Sequence, residues 1–290
     1  MATIAPADSK IGQQIARIAN AKKALADYLK DNTDLATENM SINELVEAIL
    51  ALIGQKGAYN IVQNLLDDGN SELVITDAGE SSSNNLDAFI TREISGVYTN
   101  NRITKVGDSA FLGCNKLTEI NLPKVVSVSN NAFAHSIKLK NIILPLCKTT
   151  GSGAFSYCPI ESISLPSCQS LGGNGFRGCA KLTSVDLPLA TNVGSGSFYG
   201  TPIQILDLPS LTSIKASGFA YVNQLHTLIL RSSTICTLEN STNTFVDTKI
   251  AAGTGYVYVP DNLVDSYKTA TNWVTFANQI KPISELEGTT

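Results

Sequence analysis

Apolar and polar positions alternate in a phrase that returns along this chain at a nearly fixed interval. LTEINLP (117–123) is followed by LKNIILP (139–145), IESISLP (160–166), LTSVDLP (182–188), IQILDLP (203–209) and LHTLILR (225–231). A second series keeps step with it: Phe111, Phe133, Phe155, Phe176, Phe198 and Phe219, spaced by 21 or 22 residues. Self-similarity at one period predicts a single supersecondary unit stacked many times. Within the phrase the period is two, so each copy predicts a short parallel strand. Ile120 and Leu122 then point inward, and Glu119 and Asn121 outward. The proline that follows removes a donor and ends the strand. Five residues before each Phe stands Val106, Val128, Leu171, Val193 or Ile214, with Thr150 as the exception. Two residues before each Phe stand only Ser109, Asn131, Gly153, Asn174, Gly196 and Ser217, turn formers that bend the chain ahead of the buried ring. The prediction is a repeat solenoid with one short parallel sheet and an irregular convex side. At roughly seven or eight coils of about 4.8 Å, it is roughly 35 Å long.

The flanks follow other patterns. Residues 8–30 carry Ile11, Ile15, Ile18, Leu25 and Leu29 on one helical face, and a second helix begins at Ser41, which with Glu44 forms a capping box. That helix presents Leu45, Ile49 and Leu52 and stops at Gly54. Two helices this short need a partner surface. Residues 1–57 are therefore expected to be a small α-helical attachment or oligomerisation module, or else a hairpin capping the first coil. Residues 58–85, with GESSSNN at 79–85, are expected as a linker, and 86–106 as a degenerate first coil opening the repeats of 86–255. The last coil is expanded over 232–255. A C-terminal cap, 256–290, follows: the strand YVYVP, a helix over 261–270, and Trp273 in the cap's core.

Composition narrows the function. With 16% charged residues and a net charge of −4, the chain lacks the basic stripe of a nucleic-acid binder. No stretch has the apolar length of a membrane span. The first residues lack the apolar core and cleavage site of a signal peptide, which predicts synthesis and retention in the cytoplasm unless another route releases the chain.

Most candidate chemistry is absorbed by the repeat. Cys114, Cys158 and Cys179 share a column with Ser136, Thr201 and Val222, and Cys147 and Cys168 each follow a repeat proline by two residues. They read as small buried fillers, although stacked coils also make a disulfide ladder geometrically possible. GNGFRG (173–178) matches a dinucleotide-binding pattern, but its Phe176 is the repeat Phe. His135 and His226 lie in different parts of the repeat, too far apart to form one site. No catalytic, metal or cofactor site is expected. The candidate binding face is the outward strand surface: Glu119, Asn121, Asn141, Ser162, Ser164, Ser184, Asp186, Asp207, Thr227, Tyr256 and Tyr258, with Ile143, Ile205 and Ile229 among them.

The strand phrase joined to F-x-G-C-x-x-L (Phe111 to Leu117, and FRGCAKL at 176–182) resembles the BspA-like, or Treponema-type, leucine-rich repeat. So does the ending YVPDNLVDSYKTATNWVTFANQIKPI. The resemblance covers about residues 86–283 and implies a leucine-rich repeat fold without enzymatic activity. The family is typified by bacterial surface adhesins that carry an export signal and an anchor. Chains with this repeat also resemble structural proteins of phages and prophages, and the first 55 residues resemble helical attachment segments of tail, baseplate or fibre proteins. The expected function is thus a virion adhesion component. Its N-terminal helices would bind other virion proteins or copies of itself as a homo-oligomer, and its repeat face would bind a host-surface protein or glycan. The alternatives are a BspA-like cell-surface adhesin and a parallel β-helix enzyme acting on polysaccharide through Asp186 and Asp207.

Overall fold

The computed structural model of the chain describes residues 74–75, 96–99 and 103–288. Backbone contacts divide the chain into Met1–Gly69 and Asn70–Thr290, and the described residues all belong to the second unit. The expected docking positions Ile11, Ile15, Ile18, Leu25, Leu29, Leu45, Ile49 and Leu52, with the helices that carry them, lie outside the described residues.

A regular coil contributes two strands. The shorter series is β1 (Val74–Ile75), β3 (Lys105–Val106), β5 (Ser127–Val128), β7 (Thr149–Thr150), β9 (Ser170–Leu171), β11 (Asn192–Val193), β13 (Ser213–Ile214) and β15 (Thr237–Leu238). These two-residue strands form one uninterrupted parallel sheet in that order. The side expected to be irregular therefore holds the most continuous ladder of the fold. Two residues are too few to show alternation, so only the Val/Leu column announced it. The segment expected as a linker, 58–85, supplies the first strand of this sheet, since Val74 and Ile75 pair with Lys105 and Val106. Thr150, the polar exception in the column, is buried, and its Oγ1 accepts from the Gly172 amide at 3.2 Å.

The Phe column is a stack. Neighbouring rings from Phe111 to Phe219 lie 5.1–5.7 Å apart, and Phe245 continues the row 5.6 Å beyond Phe219. Phe245 is displaced in sequence by a short helix, α1 (Ser241–Thr244), whose first amides are capped by Asn240 Oδ1. The row ends where Phe276 meets Phe245 edge-on, at 76°, and offers no further parallel face. All six turn formers ahead of the repeat Phe residues have positive φ, from 51° to 65°. The bend expected there is a left-handed residue. Further back in three coils, Gly151, Gly172 and Gly194 touch the preceding coil so closely that a Cβ would sit 2.3–2.5 Å from its backbone.

The longer series is β2 (Gly96–Thr99), β4 (Leu117–Asn121), β6 (Asn141–Ile143), β8 (Ser162–Ser164), β10 (Ser184–Asp186), β12 (Ile205–Asp207), β14 (Thr227–Ile229), β16 (Tyr256–Val259) and β17 (Ile280–Pro282). Its ladder is hydrogen-bonded in three pieces, β2–β4–β6, β8–β10 and β12–β14–β16–β17. Both breaks fall where the phrase returns after 21 rather than 22 residues, between Pro145 and Pro166 and between Pro188 and Pro209. The missing residue lies between the Phe and the strand. There Asn115-Lys116, Ile137-Lys138 and Ala180-Lys181 are each replaced by one proline, Pro159 or Pro202. Proline brings no amide to the strand entrance. At these two junctions a serine hydroxyl joins the coils instead: Ser167 Oγ donates to Pro145 O at 2.8 Å and Ser210 Oγ to Pro188 O at 2.7 Å. The corresponding position at the unbroken junctions holds Lys124, Leu146, Leu189 or Ser232, and the Ser232 hydroxyl lies 3.3 Å from Thr234 Oγ1 of its own coil.

The end of the solenoid is covered much as the sequence predicts. A 3₁₀ turn at Asp261–Leu263 runs into α2 (Val264–Thr269), and a last helix, α3 (Ile283–Glu287), follows β17. Trp273 is buried and its Nε1 donates to Cys236 O at 2.6 Å, while Tyr267 Oη accepts from the Cys236 amide at 2.7 Å. Both polar aromatic atoms are satisfied inside the cap, as buried Trp and Tyr require.

Candidate functional site

Successive coils place their outward strand residues opposite one another. Glu119 pairs with Asn141 and Asn121 with Ile143 on β4 and β6. Ser162 pairs with Ser184 and Ser164 with Asp186 on β8 and β10. Ile205, Thr227 and Tyr256 share one row across β12, β14 and β16, and Asp207, Ile229 and Tyr258 share the next. The expected face is thus assembled, but in three patches separated by the two ladder breaks. Asn141, Ser162, Ser164, Ser184, Asp186, Asp207 and Tyr256 are exposed, Glu119, Asn121, Thr227 and Tyr258 are half-buried, and Ile229 is buried.

The polar side chains of the face are largely satisfied by each other. Asn141 Nδ2 donates to Glu119 Oε2 at 3.1 Å, and Ser164 Oγ donates to Asp186 Oδ2 at 2.7 Å. Asp207 accepts from Arg231 Nε with both oxygens, at 3.2 and 3.0 Å. Arg231, which replaces the repeat proline, was not among the expected face residues; its break with the LP phrase was the available signal. Asp186 is drawn back toward β8 and Asp207 forward toward the coil of β14. The two carboxylates considered for polysaccharide hydrolysis therefore turn to opposite neighbours. Ile143 and Ile205 are exposed apolar points among these pairs. Near the end of the face, the Tyr256 and Tyr258 rings lie 6.3 Å apart, and the Lys281 ammonium sits 5.8 Å from the Tyr256 centroid.

The remaining candidates settle into structural places. All six cysteines are free thiols and all are buried. They are more than fillers. Cys158 Sγ donates to Phe133 O at 3.0 Å and Cys179 Sγ to Phe155 O at 3.1 Å, and Ser136 Oγ makes the same bond to Phe111 O at 2.7 Å. Where the column holds Ser136, Cys158 or Cys179 it ties the coil to the carbonyl of the previous Phe, whereas Thr201 Oγ1 donates to Phe198 O of its own coil at 2.9 Å and Val222 has no side-chain donor. Burial pushes the thiols of Cys147, Cys179 and Cys236 up to about 12 and that of Cys168 to about 11. The glycines of GNGFRG flank the left-handed Asn174 and the buried Phe176, with no strand–turn–helix around them. His226 Nδ1 lies 2.9 Å from Thr227 Oγ1, and His135 stacks on Tyr157 at 4.6 Å. Among the described residues no group of three His, Cys, Asp or Glu is placed to hold a metal, and no helix is long and apolar enough to cross a membrane.

The family model described as a BspA type leucine rich repeat region matches residues 84–150 and 148–254, in six copies. Among solved structures, the chain is similar to a leucine-rich cell surface protein from Faecalibacterium prausnitzii. That match has 20% identity and a TM-score of 0.38, and covers 48% of each chain. A leucine-rich repeat protein from Bacteroides ovatus matches at 17% identity over 64% of this chain and 63% of that one, with a TM-score of 0.37. The leucine-rich repeat protein of T. pallidum matches at 21% identity over 59% of this chain and 80% of that one, also at 0.37. No curated protein sequence matches the chain.

Proposed function

We propose, from the premise that this chain belongs to the BspA-type leucine-rich repeat family, that it is a non-enzymatic adhesive protein of the bacterial cell surface. It binds through its outward strand face. The observation that carries this reading is the face itself: side chains from successive coils stand in register on a rod stiffened by the Phe stack. Its carboxylates are spent on bonds between coils, which supports a binding surface over a hydrolytic pair. Each exposed Ser, Asn or Ile offers a small contact, and affinity comes from their number. Copies joined through the apolar positions of the N-terminal segment multiply that affinity, because linked sites raise avidity without new contacts. The partner is a host-surface or neighbouring-cell protein or glycan. The alternative reading, a phage or prophage virion component, rests on the sequence alone.

The test is adhesion of beads coated with the full chain to epithelial cells and to bacterial cells, compared with a variant carrying Asn141→Lys, Ser164→Lys and Ser184→Lys. Each added side chain stands outward on an exposed position and leaves the core unchanged. Adhesion lost in the variant, with its melting temperature kept, supports the face as the binding surface. Equal adhesion by both proteins would refute it.

A further inference from the structure

A second surface, in the turn between the Phe and the following strand, carries side chains that the core does not need. His135 and Tyr157 stack at 4.6 Å with an interplanar angle of 14°. In the next coil the Arg177 guanidinium approaches Tyr157, with Nε 3.4 Å from its hydroxyl, and lies over the Tyr199 ring at 4.1 Å. Tyr199 in turn meets Tyr221 at 4.7 Å. The five side chains form one contact row across five successive coils.

Two observations give this row a purpose. The first is its conformational cost. His135, Tyr157 and Tyr221 sit two residues after their Phe with φ of 58°, 60° and 59°, in a column where other coils use Gly113, Gly178 and Gly200 and the coil of Phe245 uses Asp247, at 57°. Side chains with a Cβ are disfavoured in this region; such strain is held in place by the surrounding structure and clusters at ligand-binding sites. Gly178 belongs to the same arrangement, since a Cβ there would sit 2.6 Å from the Tyr157 ring. The second is Arg177. Its guanidinium is oriented by neighbours from three coils: Tyr157, Tyr199, and Asn174 Oδ1 at 3.5 Å. Among the described residues it has no carboxylate partner, whereas Arg231 and Lys215 each pair with one. A half-buried guanidinium held between two tyrosines without a carboxylate partner is organised for the planar, two-pronged capture of a carboxylate.

The setting selects the carrier of that carboxylate. A peptide adding as a strand needs free main-chain donors, and those of this column are taken. The amides of Gly113, His135, Tyr157 and Gly178 donate to the next coil, each at 2.8 Å. What faces outward is phenol and imidazole edges beside the guanidinium, a line of hydrogen-bonding groups that suits ring hydroxyls on either side of an acid group. We propose that the row His135–Tyr157–Arg177–Tyr199–Tyr221 binds an acidic glycan, its carboxylate on Arg177 and its flanking hydroxyls on the tyrosines. This site is separate from the strand face, and either can fail without the other.

The experiment is retention of the full chain on an array of uronate- and sialate-bearing glycans printed beside their neutral counterparts, with poly-glutamate as the peptide control. The expected result is retention on acidic glycans only. Arg177→Gln should reduce it at least tenfold and Arg177→Lys severalfold, because lysine keeps the charge and loses the fork. Circular dichroism melts of both variants should match the parent. Absence of any acidic-glycan signal, equal retention by Arg177→Gln, or poly-glutamate binding as strong as the glycans would each overturn the proposal.

Discussion

The tightest contact between coils gives the sharpest prediction. In Gly172→Ala the new Cβ would lie 2.3 Å from Gly151 O, 2.4 Å from Gly151 C and 2.6 Å from Thr150 O. These are backbone atoms of a neighbouring coil and have no rotamer to escape into. Ordinary contact needs about 3.5 Å, so the coils must part locally by about 1 Å. That movement strains bonds at the same junction: Gly153 N to Gly173 O at 2.8 Å, Phe155 N to Gly175 O at 2.9 Å and Gln169 N to Lys148 O at 2.8 Å. Overpacking costs about 1–3 kcal/mol, and losing two such bonds adds about 1–3 more. The total is about 2–6 kcal/mol. For a unit of this size each kcal/mol lowers the melting temperature by roughly 2–4 °C, so the variant should melt at least about 4 °C below the parent. Gly113→Ala is the matched control. Its Cβ meets nothing within 4 Å, and only its φ of 66° resists the change, at about 1 kcal/mol. Thermal melts read by circular dichroism would show the difference, and hydrogen exchange should show lost protection centred on residues 148–176. Equal melting temperatures for the two variants would refute the close-contact argument.

Other perturbations follow from the same geometry. Phe155→Ala removes a fully buried ring stacked between Phe133 and Phe176, and should cost about 3–5 kcal/mol in denaturant titration; a loss under about 1 kcal/mol would contradict the stack. Ser167→Ala removes the hydroxyl bridge at a broken ladder and should cost about 1 kcal/mol, whereas Leu146→Ala at an unbroken junction, with its side chain exposed, should cost little. Cys158→Ser keeps a donor for Phe133 O and should be milder than Cys158→Val, which fits the space and loses the bond; the reverse order would show that volume alone governs the column. Burial pushes the Cys147 and Cys236 thiols up to about 12 and that of Cys168 to about 11, and all six thiols are buried, so native protein at pH 8 should resist iodoacetamide and denatured protein should take up six labels, counted by intact mass.

Much of the fold was legible because repetition averages out local ambiguity. Six copies of the strand phrase and six phenylalanines in step left one architecture, and the turn formers ahead of each Phe marked a bend, which the structure makes with a left-handed residue. What escaped has physical reasons. Two-residue strands carry no alternation, so the continuous ladder through Val106, Val128 and Leu171 was visible only as an apolar column. Phe245 was hidden by the inserted turns of α1, which moved it out of period while leaving its ring in the stack. The cysteines read as fillers because a thiol's hydrogen bond to a carbonyl leaves no mark in composition. The aromatic row was masked because Tyr199 and Arg177 stand one residue after their Phe, and His135, Tyr157 and Tyr221 two. They meet in space from two different columns. On the strand face, alternation identified which residues point outward with the exception of Ile229, which is buried at the end of β14, and the pairing of Asp207 with Arg231 depends on the coil in which the proline is lost.

Where the protein resides separates a cell-surface adhesin from a virion component. Intact source cells would be treated with protease, and peptides from residues 103–288 quantified by mass spectrometry in the released fraction and in density-banded particles from the same culture. A cell-surface protein would release the repeat peptides from intact cells and be absent from particles at the copy number of capsid and tail proteins. Stoichiometric recovery with the particles, and none from the cell surface, would contradict the cell-surface reading and establish the chain as a virion component.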